Sequence, residues 1–227
     1  SDGSVQLSAG VMRGSDRAAG AVAALTRTEH PILAARFVLD SDQVLMAGEA
    51  ADRRAAELGA TQRENSFFVT ERQWARLRGR AHELARGTVG AVCLDVRGAL
   101  AAATSTGGRS GQPPGRVGDS PLIGAGTWAD ERVAISCTGA GEAFIRAGAA
   151  RQIAMLLQSG MALEDATERA LADVAALGGR GGLIALDSTG AMSTPLLRGV
   201  MPGGSWRAGS EPAVWVTEPP GFPGIAQ

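Results

Sequence analysis

The sequence predicts an α+β fold in which two layered sheets are covered by helices, and three observations predict it. Strands and helices come in blocks, and neighbouring strands read as antiparallel pairs, which argues against a parallel βαβ array. Strand-like runs such as Ala91–Leu94 and Leu183–Leu186 lack polar alternation and are expected to be buried on both faces, as between packed sheets. A chain of 227 residues with 44% hydrophobic content is long enough for one well-buried core, read as a single domain over 1–227.

In order along the chain, Val5–Met12 alternates loosely and predicts a strand, closed by the turn Arg13-Gly14-Ser15-Asp16. Ala21–Leu25 predicts a second strand. Pro31 suits the first turn of a helix that starts at His30, with Ile32, Leu33, Phe37 and Val38 on one face. His30 reads as a structural residue at the helix start. Val44–Gly48 is a short strand, and Glu49–Leu58 an Ala/Arg helix stopped by Gly59. Thr70 opens a polar helix with Trp74, Leu77, Ala81 and Leu84 at helical spacing, surrounded by Arg72, Arg76, Arg78, Arg80 and Arg86. Residues 60–87 read either as a solvated connecting helix or as a mobile linker that presents Gly87-Thr88. His82 falls inside it and is not expected to serve as a permanent base.

Three hairpins follow: Thr88–Asp95 with Ala99–Ser105, Leu122–Trp128 with Val133–Cys137, and Gly182–Asp187 with Ala191–Pro195. Between the second and third lie helices predicted over Glu142–Leu157 and Leu163–Leu177.

A net charge of −1 gives no electrostatic case for nucleic acid or an anionic membrane. No signal peptide is seen at the start and no apolar run reaches about 18 residues, so no membrane span is expected. Cys93 and Cys137 both lie in apolar strand-like runs without metal-ligand spacing, which predicts buried, reduced thiols and a cytoplasmic protein.

The chemical inventory is narrow. The chain has two His, two Cys and no Tyr, and all 22 of its basic residues are Arg. Thr88, at the start of its strand, is either an ordinary strand-former or a nucleophile. A threonine that becomes an N-terminus carries its own base, because a free α-amine titrates near pKa ~7.7–8.0. Thr138–Glu142 stands at a strand-to-helix junction whose unpaired N–H groups suit a carboxylate or an oxyanion. A dinucleotide fingerprint fits poorly there, because Phe144 occupies the place of its third small residue. Arg116 and Asp119 sit three apart in a Gly/Pro-punctuated loop. They read either as a local ion pair or as a clamp for a zwitterion, with Arg116 on the carboxylate and Asp119 on the ammonium.

Gly-Thr-Val-Gly-Ala-Val (Gly87–Val92), Thr-Ser-Thr-Gly-Gly (Thr104–Gly108), Gly-Arg-Val-Gly-Asp-Ser-Pro (Gly115–Pro121), Cys-Thr-Gly-Ala-Gly-Glu (Cys137–Glu142) and Gly-Gly-Leu-Ile-Ala (Gly181–Ala185) resemble, in order and spacing, one family. It is the plant-type L-asparaginase / isoaspartyl peptidase family of threonine-type N-terminal-nucleophile hydrolases. The resemblance runs from about Val5 onward and is most specific over Gly87–Gly182. It implies a four-layer αββα sandwich, and self-cleavage between Gly87 and Thr88 into an α chain (1–87) and a β chain (88–227). It also implies hydrolysis of β-aspartyl amides, namely L-asparagine and isoaspartyl dipeptides. Carried over residue by residue, Thr88 is nucleophile and base, and Thr106 positions it. Thr138 hydroxyl and Gly139 N–H form the oxyanion hole, Arg116 and Asp119 hold the substrate's α-carboxylate and α-amine, and Gly141 lines the pocket. The implied assembly is a homodimer of αβ units.

Family members open with a core strand, a His-Gly-Gly-Ala-Gly-like turn, a helix and a cation-binding loop. That pattern is not in this sequence, so the fold is expected to lack the first strand and helix. No cofactor is expected, and a structural alkali cation is implied only through that loop. Arg13 stands where the family usually has an acid. Gly87 before the threonine and Thr-Ser-Thr-Gly-Gly after it look like the isoaspartyl peptidase branch. Glycosylasparaginases, the alternative, tend to have Asp before the threonine and Asn at Gly107 or Gly108. A silent or unprocessed relative that only binds zwitterions is a further alternative.

Overall fold

The structure, a computed structural model, describes residues 3–71, 74–75 and 87–216. The fold is mixed α+β, and its first layer is set by β1 (Leu7–Arg13), which is buried on both faces because its side chains alternate between two cores. Leu7, Ala9 and Val11 point into a cluster with Val22, Ala34, Ala35, Val38, Ala51 and Ala55. Met12 belongs to a second cluster, with Leu100, Trp128, Ile135, Phe144 and Leu183. β1 pairs antiparallel with β2 (Ala19–Leu25) on one side and β5 (Leu100–Thr106) on the other. β3 (Leu45–Ala47) and β4 (Thr88–Leu94) complete a sheet of order β3-β2-β1-β5-β4.

Helix α1 (Pro31–Leu39) lies close on this sheet because Gly20 leaves room for it. A Cβ at Gly20 would come within 2.2 Å of the Ala35 carbonyl oxygen and the Leu39 nitrogen. The buried face is therefore the small one, Pro31, Ala34, Ala35 and Val38, and Leu33, expected inside, is half exposed. α2 (Gly48–Glu57) sends Asp52 inward, only 2% exposed. Its carboxylate accepts from the backbone N–H groups of Thr26, Arg27 and Thr28 and from the hydroxyls of Thr26 and Thr28. Five donors on one buried carboxylate offset its desolvation and pin the chain leaving β2. The next stretch is held as well. Asn65, in a short 3-10 turn over Asn65–Phe68, donates to the Val5 and Thr26 carbonyls and accepts from Val5 N–H. The segment expected to be linker is thus tied down at Asn65. Arg72, Leu77, Ala81, His82, Leu84, Arg76, Arg78, Arg80 and Arg86 lie outside the described residues.

The second main sheet has the order β6-β7-β8-β9, built from β6 (Thr127–Ala129), β7 (Val133–Gly139), β8 (Gly181–Asp187) and β9 (Met192–Ser193). β4 and β5 pack against β7, and β1 and β5 against β6. Helices α3 (Gly141–Ala147), α4 (Ala149–Gln158) and α5 (Leu163–Ala176) pack against one another, and α4 and α5 also contact this sheet. β10 (Gly203–Ser205) and β11 (Ala213–Trp215) form a small separate ribbon.

Four further expectations are corrected. The single helix over Glu142–Leu157 is two, broken at Gly148, whose φ of 59° is left-handed and ends α3 just before α4 begins. The strand expected over Leu122–Trp128 is only Thr127–Ala129. Leu122, Ala125 and Gly126 instead form turns, closed by Leu122 N–H to Asp119 and by Ala125 and Gly126 N–H to Leu122. β4 is buried on one face, not two. Val92 and Leu94 pack on the second cluster, but Val89 is 74% exposed, because α1 and α2 lie over β1–β3 and reach no further than β5. Cys93 shares the exposed face, so only Cys137 is the buried thiol expected; both are free.

The two sheets come close together at Gly90. A Cβ there would lie 2.3 Å from Ser136 Oγ and 2.9 Å from Ser136 Cβ. Gly90→Ala should therefore destabilise the fold by about 1–3 kcal/mol through overpacking. A double-mutant cycle with Ser136→Gly, read by urea unfolding, should recover most of that loss. Additive losses would mean that the sheets are not in contact there.

Candidate active site

Antiparallel pairing puts Thr88 directly across from Thr106, and Gly90 across from Thr104. Thr88 Oγ donates to Thr106 Oγ at 3.2 Å, and Thr106 Oγ also accepts from the Gly108 N–H at 3.0 Å. Two residues further into the sheet, Thr104 Oγ lies 2.7 Å from Ser136 Oγ, and Thr127 Oγ donates to Thr104 Oγ at 2.6 Å. Thr104, Thr127 and Ser136 are buried, so these hydroxyls satisfy one another between the sheets. They tie β5 to β6 and β7 one pleat below the Thr88–Thr106 pair.

This contact also fixes which ends of the sheets coincide. At one end a Cβ on Gly14 would meet the carbonyl oxygens of both Asp130 and Leu100, so the start of β5 lies beside the β6–β7 turn. The other ends, Thr106 of β5 with its partner Thr88 and Thr138 of β7, therefore lie at the same edge of the two packed sheets. Thr138 and Gly139 leave β7 where two glycines face each other. Gly139 pairs with Gly181, with φ of 150° and 148°. A side chain on Gly181 would come within 2.1 Å of the Thr138 carbonyl oxygen. Glycine at both positions lets the backbones close up before α3 begins.

Arg116 and Asp119 come from the loop preceding β6. The Arg116 side chain is only 14% exposed. Its guanidinium lies against glycine backbone, since a Cβ on Gly141 would meet its terminal nitrogen at 2.8 Å and Asp119 Oδ1 at 2.9 Å. Gly141 thus borders both charged groups, and Asp119 is 5% exposed. The partner of Arg116 was not legible in the sequence. Glu142 accepts two parallel hydrogen bonds from it, at 3.1 and 3.2 Å, which hold the Glu142 carboxyl below its usual range. Arg109 stands 3.8 Å from the same carboxylate. Burial, and then the charge of Asp119, raise the Cys137 thiol well above its usual value, so it stays protonated beside the site.

The expected residues therefore fall into two neighbouring groups, a hydroxyl pair at Thr88–Thr106 and a charged cluster at Arg116, Asp119 and Gly141. Thr138 and Gly139 stand on the facing sheet, on the strand that leads into Gly141. Among the described residues no group of three or more His, Cys, Asp or Glu is placed to hold a metal ion, and no helix is long and apolar enough to cross a membrane.

Sequence comparison resolves the family. The family model described as Asparaginase matches residues 1–210. The chain belongs to the asparaginase family. Among curated relatives, the isoaspartyl peptidase of Salmonella typhimurium is 46% identical over 213 residues, covering 86% of this chain and 68% of that protein. The isoaspartyl peptidase of Escherichia coli is 45% identical over 209 residues, covering 84% and 65%. The human isoaspartyl peptidase/L-asparaginase is 37% identical over 201 residues, covering 83% and 65%. The chain thus spans about two thirds of the length of these asparaginase-family relatives.

The Arg116–Glu142 pair has a measurable signature. A carboxyl with a lowered native pKa stays ionised below the ordinary carboxylate range. Its stabilising contribution is complete above the unfolded-state pKa and is lost as pH falls through the lowered native value. In Arg116→Gln the Glu142 carboxyl should titrate at higher pH than in the wild type, followed by carbon NMR. An unmoved midpoint would assign the lowering to other groups.

Proposed function

We propose that this asparaginase-family chain is a threonine-type N-terminal-nucleophile amidohydrolase that cleaves β-aspartyl amide bonds in L-asparagine and isoaspartyl dipeptides. The observation that supports the reading is the Thr88–Thr106 hydroxyl pair at the edge where β7 ends in Thr138 and Gly139, with Arg116 and Asp119 packed against Gly141 just after that strand. The layering that suits it is an αββα sandwich of the N-terminal-nucleophile type.

Activation comes first in this account. Thr88 Oγ attacks the Gly87 carbonyl carbon, the C–N bond breaks as the nitrogen takes up the hydroxyl proton, and water hydrolyses the resulting ester. The products are a chain ending at Gly87 and one beginning with the free amine of Thr88. The Gly107 N–H donates to the Gly87 carbonyl oxygen at 3.2 Å and supports the charge that develops there. The processed Thr88 then holds nucleophile and base on one residue, which meets the need left by a chain without lysine or tyrosine.

In turnover Arg116, its Nε edge held by Glu142, offers the terminal nitrogens to the α-carboxylate and Asp119 takes the α-ammonium, which sets the β-carbonyl over Thr88. Thr88 Oγ bonds to that carbon while its amine accepts the proton. The Thr138 hydroxyl and Gly139 N–H stabilise the oxyanion, and the amine returns the proton to the departing ammonia or amino acid. Water, deprotonated by the same amine, releases aspartate. Thr106 orients the nucleophile throughout. The reaction draws on the chain's own groups, the substrate is a small zwitterion, and the proposed assembly is a homodimer of αβ units in the cytoplasm.

Thr138→Val should lower kcat by on the order of 10²–10³, about 2.7–4 kcal/mol, with the fold retained. β-Asp-Leu should be hydrolysed, while α-Asp-Leu and N-acetyl-β-Asp-Leu are refused and glutamine fails because one methylene displaces its carbonyl. Cleavage of the acetylated or α-linked peptide as fast as β-Asp-Leu would remove Arg116 and Asp119 from substrate binding.

A further inference from the structure

Arg109 has no part in the reaction as described, yet it stands in the charged cluster. It follows Gly108, whose N–H bonds Thr106, the residue that touches Thr88. A cleft runs from Gly107 along Arg109 to Gln112, with Val5 and Gln6 opposite. The Arg109 side chain is 59% exposed, and its guanidinium stands 3.8 Å from the carboxylate that Arg116 already grips. Two guanidiniums thus share one carboxylate, each coming nearest to its Oε1.

The charge count gives this arrangement a consequence. Arg109 and Arg116 balance Glu142 and Asp119. L-Asparagine, a zwitterion of net charge zero, needs only the groups that bind its α-carboxylate and α-amine. A β-aspartyl dipeptide carries a second carboxylate, on the residue that leaves, and arrives with net charge −1. Without Arg109 the cluster would be negative and would repel it. The reach is also suitable. A trans peptide unit spans about 3.8 Å between its flanking carbons, so the two carboxylates of the dipeptide stand on the order of 6 Å apart, a span that two neighbouring guanidiniums can bridge.

We propose that Arg109 binds the free carboxylate of the leaving residue and so biases the site towards β-aspartyl dipeptides over L-asparagine. The inference rests on the hydrolysis proposed at Thr88. Glu142 holds the two arginines in place before substrate arrives, and the dipeptide's second carboxylate then competes for Arg109 alone.

The test measures kcat/KM of the self-processed enzyme on three substrates: L-asparagine, β-Asp-Leu, and β-Asp-leucinamide, which lacks the second charge. The wild type should prefer β-Asp-Leu to the amide. In Arg109→Gln the ratio of β-Asp-Leu to L-asparagine activity should fall about three- to tenfold, mainly through KM, as expected for one exposed charge-assisted contact. The preference for acid over amide should disappear, and rising salt should erode the wild-type preference but not the variant's. Arg109→Lys, which keeps the charge, should recover part of the ratio. A wild type that treats acid and amide alike, or a variant whose losses are equal on all three substrates, overturns the assignment. If the wild type hydrolyses none of the three, the proposed reaction itself fails, and Arg109 falls with it.

Discussion

The contact between Gly90 of β4 and Ser136 of β7 is what the rest of the site depends on. Thr88 on β4 and the Thr138–Gly139 corner of β7 come from different sheets, so their spacing is an inter-sheet distance rather than a property of any one loop. A missing Cβ at Gly90 lets the sheets close, and the Thr104–Ser136–Thr127 hydroxyls fix the closed arrangement with short hydrogen bonds. Buried hydroxyls are costly when unpaired and directional when paired, so the network specifies register where an apolar contact would allow sliding. One pleat above it, Thr88, Thr106 and Thr138 are delivered to a common edge.

Much of this was legible in the sequence, for reasons that can be named. The hairpin β4–β5 announces itself through Asp95-Val96-Arg97-Gly98, where Asp95 accepts from Arg97 and Ala99 N–H and closes the turn locally. The Thr88–Thr106 pairing follows from that turn, because hairpin register is fixed by it. The charged loop at Arg116 was legible from its residue types as a place where Arg116 and Asp119 stand close together. The partner of Arg116 was not, because Glu142 lies 26 residues away on another element. The hydroxyl network was missed for the same reason. The signal for it was small polar residues, Thr104 and Ser136, at inward positions of otherwise apolar strands.

Other departures trace to single glycines. Gly148 sits within an apolar helical spacing that continues on both sides, so periodicity alone reads through a break that backbone geometry makes. Gly20 changes which face of α1 is buried, and nothing in the helix's own sequence carries that information. The exposed face of β4 shows a further limit: a run without polar alternation reports what a strand could bury, not which helices lie over it.

All of the proposed chemistry requires that Thr88 become an N-terminus, and the polypeptide masses under denaturing conditions test that most directly. The account predicts two chains from the purified protein, one beginning at Thr88 and the other ending at Gly87, while Thr88→Ala stays a single uncut chain. A single uncut wild-type chain that is active, or cleavage of Thr88→Ala at the same bond and rate, would contradict it.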